Sequence, residues 1–342
     1  MMEKEERKKF SKKQGDPICP EETGHTVMTV RGPVPVSALG FCQCHEHLGI
    51  SKGVSCQVNP VLLIDDEEKN IEEAARLVQN GGSTIVDAQP GGCCRMESLL
   101  LRVSQKTGLH IICSAGFHKL SFYPADHWLI THSGEEVSSF FLCELTEGMC
   151  AGIDEKFAPV PTDIRAGIVK MALDRENLTD TYGKLFRAGT RAALLADVPV
   201  MVHIEQGSDP FSLYEFLRAE GMRPGRIIFC HMDRAVGDLS IHKLLLREGI
   251  YLEYDTIGRF RYHSDERELE IFREMTDAGY ERQLLFSLDT TRARLKAYDS
   301  NAVGLDYLQT VFVPKMRQAG FTDRQIRAIS HDNFADVFTK EN

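Results

Sequence analysis

The feature that most constrains this chain is a rhythm: between residues 40 and 319, short apolar runs rich in β-branched residues alternate eight times with longer amphipathic stretches. Runs of the first kind suit buried strands, and stretches of the second kind suit helices with one apolar face. The first unit places a strand over residues 40–47 and a helix over 67–80, which Asp65 or Asp66 can cap and Gly81-Gly82 can end. Strands over 83–87, 110–115, 167–171, 198–203, 226–230, 251–254 and 283–288 follow, with helices over 96–106, 135–146, 179–196, 211–220, 238–247, 266–278 and 305–319. Pro199 fits only the start of its strand, because it has no N–H for the ladder. Such alternation implies an α/β fold with a parallel sheet, and eight units imply closure into a (β/α)8 TIM barrel. An open doubly wound sheet is disfavoured, since no glycine-rich phosphate loop follows any strand.

Ahead of the barrel, residues 27–30 and 34–37 form the arms of a short hairpin around Arg31-Gly32-Pro33. Residues 1–25 lack periodicity and read as a flexible N-terminal arm, leaving 26–342 as one domain. The first thirteen residues hold six Lys/Arg against three Glu, a net +3, so the rest of the chain carries −13 against −10 for the whole. A body this acidic repels phosphate backbones, which argues against nucleic-acid binding but leaves room for a local basic pocket. No apolar run reaches 18 residues and no signal-peptide core opens the chain, so neither a membrane span nor secretion is expected and the protein reads as cytoplasmic. The ten cysteines form no paired C-x-x-C clusters, and read as reduced, mostly buried small hydrophobes.

In a barrel of this kind, catalytic groups gather at the C-terminal ends of the strands. His45 and His47 end the first strand in Cys44-His45-Glu46-His47-Leu48, and the i, i+2 spacing turns both imidazoles to one side. Lys170 closes the fourth strand, His203 ends the fifth, His231 follows the sixth and Asp289 follows the eighth. Taken singly each has an ordinary reading: a satisfied histidine, a helix-capping aspartate, a lysine reaching for water. Taken together they bring six polar groups to one mouth. Imidazole and carboxylate suit borderline-soft divalent metals, and the set is too large for one tetrahedral ion, so two ions are expected. Lys170, at the end of an apolar strand and near other cations, is better neutral; a neutral amine can add carbon dioxide, giving a carbamate able to bridge two metals.

At these residues the sequence resembles the phosphotriesterase family of the amidohydrolase superfamily. The matching stretches are Thr29-Val30-Arg31-Gly32-Pro33, Gly40-Phe41 leading to His45-Glu46-His47-Leu48, Ala166-Gly167-Ile168-Val169-Lys170, His203, His231, Asp289 and Asp332-Asn333-Phe334-Ala335, over roughly residues 27–338. The resemblance implies one metal on His45, His47 and Asp289, a second on His203 and His231, and a carboxylated Lys170 between them. It further implies zinc, with manganese or cobalt as substitutes, a bridging hydroxide as nucleophile, Asp289 as proton shuttle, and a possible homodimer.

Substrate choice divides the family among organophosphate triesters, acyl-homoserine lactones and phosphorylated sugar lactones. The resemblance leads one to expect an Arg directly after the strand-seven Asp in acyl-homoserine lactonases, whereas here Thr256 follows Asp255. Cations cluster instead: His118 and Lys119 after strand three, Arg259 and Arg261 after strand seven, Arg292 and Arg294 after strand eight. Guanidinium forks suit phosphate oxygens, and the Asp289-Thr290-Thr291-Arg292 run looks most like the phosphorylated furanose lactonases. The reading is therefore hydrolysis of a phosphorylated sugar 1,4-lactone, with His118, Lys119, Arg259, Arg261 and Arg292 binding this small-molecule substrate. A phosphotriesterase or carboxylesterase is the alternative within enzymes. A catalytically silent binding protein is the alternative outside them.

Overall fold

The structure, a computed structural model, describes residues 24–154 and 156–339, so the expected arm lies almost wholly outside the described residues. Strands β1 (Thr26–Thr29) and β2 (Gly32–Pro35) pair antiparallel as the expected hairpin. Gly32 makes its turn at φ +103°, where a side chain would be strained.

Eight parallel strands follow in sequence order: β3 (Phe41–Glu46), β4 (Gly82–Asp87), β5 (His110–Gly116), β6 (Ile168–Leu173), β7 (Val200–Ile204), β8 (Ile227–Cys230), β9 (Tyr251–Tyr254) and β10 (Leu284–Phe286). Every residue of β6 to β10 is buried, because one face packs on helices and the other fills the barrel. The filling comes from alternate positions such as Cys42, Cys44, Ile112, Ile168, Met201, Ile228, Tyr251 and Leu285, so Cys42 and Cys44 do share the inward face. Pro199 stands just before β7, where its carbonyl still accepts from the Val169 N–H at 3.1 Å. No disulfide occurs among the described residues, and most of their cysteines are buried.

The seam between β3 and β10 is closed differently from the ladders elsewhere. The Asp289 N–H donates to the His45 carbonyl at 3.0 Å, and the Ser287 Oγ lies 2.7 Å from the same carbonyl oxygen. Glu46 completes the join. One carboxylate oxygen accepts from the Ser287 hydroxyl (2.8 Å) and Leu288 N–H (2.9 Å), the other from the Thr290 N–H (3.0 Å) and hydroxyl (2.7 Å). The residue between the two histidines thus staples the eighth strand's end to the first's.

The helices Glu67–Gln79, Glu97–Thr107, Gly134–Thr146, Asp180–Ala196, Pro210–Ala219, Leu239–Arg247 and Asp265–Asp277 form the outer layer within a residue or two of expectation. Asp66 is the cap of the first, accepting from the Lys69 N–H at 3.2 Å. The eighth departs from the expected 305–319: it begins as a π-helical turn, Leu308–Phe312, and continues as Val313–Gln318. Pro314 lacks the N–H that an α-helix would need there, and the ladder widens ahead of it. The helix Asn333–Thr339 then lays Phe334 and Val337 into the base of the barrel beside Val27 and Leu39.

Candidate metal centre and substrate mouth

The sequence-expected residues converge. His45, His47, Lys170, His203, His231 and Asp289 are all buried, Lys170 completely. The Lys170 amine lies 3.3 Å from His45 Nε2 and, among the described residues, has no carboxylate within ion-pair distance. His45 Nε2 and His47 Nε2 stand 3.8 and 3.6 Å from Asp289 Oδ1. The His231 ring centroid is 4.8 Å from that of His45 and 4.4 Å from that of His203. His45, His47 and Asp289 bring three donor atoms within 4.8 Å of one another. This is the spacing at which separate side chains can share one cation, and their types suit a divalent transition metal.

Three of the four imidazoles are aimed by a carboxylate, whereas His47 Nδ1 has no hydrogen-bond partner among the described residues. His231 Nδ1 meets Asp255 Oδ1 at 2.7 Å, and His45 Nδ1 faces Asp255 Oδ2 at 3.4 Å and Glu253 at 3.6 Å. A carboxylate on Nδ1 leaves Nε2 free to face the centre. His203 differs, with Nε2 rather than Nδ1 on its carboxylate, 3.3 Å from Glu205. Burial lowers His47, lowers His203 to about 4, and with Arg234 holds His231 well below the imidazole range, so these rings are neutral donors. For His45 burial also opposes the charge, but Asp255, Glu253 and Asp289 outweigh burial and the Lys170 charge and raise it to about 9. The carboxylates around His45 supply negative charge that a metal cation can satisfy in place of that proton. Burial likewise opposes ionised Asp289, yet Arg259, His47 and Arg234 keep it well below the carboxylate range.

His231 at φ +64° and Asp289 at φ +47° both occupy the left-handed region. Non-glycine residues held there cost on the order of 1–3 kcal/mol each, a strain typical of functional sites. Gly116 is needed for a different reason: its φ is +111°, and an added Cβ would fall 1.9 Å from the Lys170 carbonyl oxygen. The close approach of β5 sets the height of Lys170.

Above these groups opens a cavity of about 280 Å³, lined among others by His118, Lys119, Glu205, Arg234, Arg259, Arg261 and Tyr262. His118 is half-buried, and its desolvation with the nearby His203 and Lys170 holds it well below the imidazole range; the Lys119 N–H donates to its Nδ1 at 2.7 Å. Lys119 pairs with Glu205 at 2.6 Å, and Arg259 with Asp289 Oδ2 at 3.0 Å and with its carbonyl. Arg261 is exposed over the Tyr262 ring. Arg292 is not brought into the lining: it belongs to a 3-10 turn, Arg292–Arg294, and lies over the Tyr298 ring at 5.1 Å. Arg294 is likewise used up, donating to the Ile257 and Gly258 carbonyls. The sequence reading missed Arg234, 3.1 Å from Asp289 Oδ2, and the aiming carboxylates Asp255, Glu253 and Glu205. Arg234 follows His231 by three residues, and Glu205 follows His203 by two, so proximity to a ligand was the available signal.

The family model described as the phosphotriesterase family matches residues 25–338. The chain belongs to the phosphotriesterase family. A phospho-furanose lactonase of Mycoplasmopsis synoviae is 27% identical over 323 residues, covering 89% of each chain. An N-acetyltaurine hydrolase of Danio rerio is 26% identical over 350 residues, covering 90% of this chain and 96% of its own. Among solved structures, a lactonase from Listeria monocytogenes superposes with a TM-score of 0.83 at 25% identity, covering 93% of this chain and all of that one. Membership in the phosphotriesterase family agrees with the barrel, the hairpin before it and donor groups suited to divalent metals.

Proposed function

We propose that this member of the family is a metal-dependent hydrolase that opens a phosphorylated sugar 1,4-lactone. The observation that carries the reading is a single cavity joining the convergent histidines and Asp289 to Arg234, Arg259, Arg261, Lys119 and His118. A lactone whose carbonyl rests at the ligands would present a phosphate to Arg234, Arg259, Arg261 and Lys119, and guanidinium groups pair with its oxygens in forks. The phospho-furanose lactonase relative supports that substrate class. The N-acetyltaurine hydrolase relative fits the same logic, since its named substrate also carries a compact anion.

His45, His47 and Asp289 would hold one divalent ion and His203 and His231 a second, Zn2+ before Mn2+ or Co2+, with Lys170 between them. Lys170 would act as a carbamate, its neutral amine adding carbon dioxide through a new N–C bond with release of one proton. Such a pair of ions supplies a water-derived nucleophile at neutral pH and polarises the ester carbonyl. The remaining work falls to the chain. Asp289 Oδ1 faces His45 and His47, and there takes the proton of the attacking water and returns it to the ring oxygen as the C–O bond breaks. Arg259 and Arg234 hold that carboxylate ionised and in place. His118, with Nδ1 occupied, offers its Nε2–H to a substrate oxygen.

The test is kcat/KM on paired lactones with and without the phosphate. Charge-assisted contacts contribute about 1.5–3 kcal/mol each, so a preference of roughly 10- to 100-fold for the phosphorylated member is expected. Equal rates on both would remove the phosphate argument. One observation favours a second reading, an esterase or triesterase of apolar substrates: Val58, Val61, Phe260 and Tyr262 stand exposed at the rim of the mouth. An activated triester or aryl ester outpacing every lactone would decide for it. Metal-loaded protein inert on all of them would mark a silent binder.

A further inference from the structure

Outside the barrel mouth, three more ligand-type side chains face one another. Asp233 comes from the helical turn Met232–Ala235 behind β8, His263 from the loop after β9, and Glu268 from the helix Asp265–Asp277. Asp233 and Glu268 are buried, the latter completely. His263 Nε2 lies 3.2 Å from Glu268 Oε2 and 4.0 Å from Asp233 Oδ2, and one ligand atom from each falls within 4.8 Å of the others. Among the described residues, neither Glu268 oxygen has a hydrogen-bond partner, and neither has His263 Nε2. Among the described residues, His263 is the one ion-pair partner of either carboxyl.

Two carboxyls and one imidazole in a nearly dry space leave negative charge uncompensated. Burial, and then the charge of Asp233, push Glu268 well above the carboxylate range. A buried charge of this kind is satisfied by a proton or by a cation. The two unpartnered Glu268 oxygens and the His263 nitrogen, gathered with an Asp233 oxygen within 4.8 Å of one another, match a metal's demand for lone pairs rather than a single shared proton.

We propose that Asp233, Glu268 and His263 form a third divalent-cation site, separate from the mouth and suited to Zn2+ or Mn2+. One nitrogen and two carboxylate oxygens are the donor set these ions accept, with water completing the shell. His263 keeps 15% of its side chain exposed, which provides the way in. The role is structural. The Thr256 N–H donates to Asp233 Oδ2 at 2.6 Å, and Thr256 adjoins Asp255, the partner of His231. A cation here ties the end of β8, the end of β9 and the following helix together. It thereby holds the 256–264 loop, whose Arg259, Arg261 and Tyr262 line the mouth. The inference does not depend on the lactone reading.

The test counts metal in full-length protein produced with Zn2+ and dialysed, comparing wild type with His263→Ala and Glu268→Gln. Each variant should hold one equivalent fewer, and anomalous scattering at the zinc edge should show a peak among the three side chains in wild type alone. The isosteric Glu268→Gln keeps the packing, and circular dichroism checks that both variants fold. Unchanged stoichiometry would overturn the site and assign the cluster to a shared proton. So would a zinc equivalent lost from the mouth with no peak among the three side chains.

Discussion

At the scale of single residues, the centre works by burying groups that water would otherwise satisfy. Lys170 is the sharpest case, a fully buried amine whose one side-chain hydrogen-bonding contact among the described residues is His45 Nε2. If it bridges two ions, Lys170→Met removes a ligand that methionine's apolar side chain cannot replace. Metal content should fall by one to two equivalents, and kcat/KM by about 100-fold or more, beyond the 10- to 100-fold typical of losing an outer partner. Metal retained at full activity would exclude the carbamate. Asp255 makes the complementary case, since it touches His231 and His45 through nitrogens that face away from the centre. Asp255→Asn should weaken metal binding by roughly 10- to 100-fold, read by chelator competition, while leaving every direct ligand in place.

At the scale of elements, the β3–β10 seam explains why His45, His47 and Asp289 meet. Glu46 gathers four donors from the chain after β10, two of them backbone N–H groups. Glutamine at that position turns one acceptor into an NH2 group, which faces a buried N–H. Leaving one such donor unpaired costs about 1–3 kcal/mol. Glu46→Gln should therefore lower unfolding stability by that amount in a denaturant titration and also reduce metal retention; a neutral outcome would show that the backbone closes the seam without it. The histidines flanking Glu46 were legible in sequence because their i, i+2 spacing turns both to one side and other strand ends of the barrel carry ligand-type residues to the same mouth. The role of Glu46 was not, since its partners lie some 240 positions away and only barrel closure brings them together. Arg292 shows the converse limit. Its place after the eighth strand suggested the mouth, but a single 3-10 turn rotated it onto Tyr298. Strand periodicity fixes which face a residue takes, and loop conformation is free of that rule.

At the scale of the whole molecule, one apolar cluster packs the strands against the outer helices and a second fills the barrel down to its closing helix, so a local protonation in this packed body is felt in global unfolding. His242, away from the mouth, reports this most simply. It is buried in the helix Leu239–Arg247, its Nε2 bonded to the Val236 carbonyl at 2.8 Å and its Nδ1 to the Tyr254 hydroxyl at 3.0 Å. Burial is the main cause that lowers it to about 4 from an ordinary 6.5. The folded state therefore binds fewer protons than the unfolded state between these values, and stability must rise with pH across that window. Its contribution is fully present above about 6.5 and is lost as the pH falls towards 4. At about 1.4 kcal/mol per pH unit, the loss over the window is on the order of 3 kcal/mol. Denaturant unfolding of wild type at pH 7 and pH 4.5 should show this fall superimposed on the effect of the carboxylates. His242→Gln keeps a donor and an acceptor but does not titrate, so its stability should decline less over the same interval, by roughly 2–3 kcal/mol. An equal decline in both proteins would mean that His242 takes up its proton without opening the helix from the barrel.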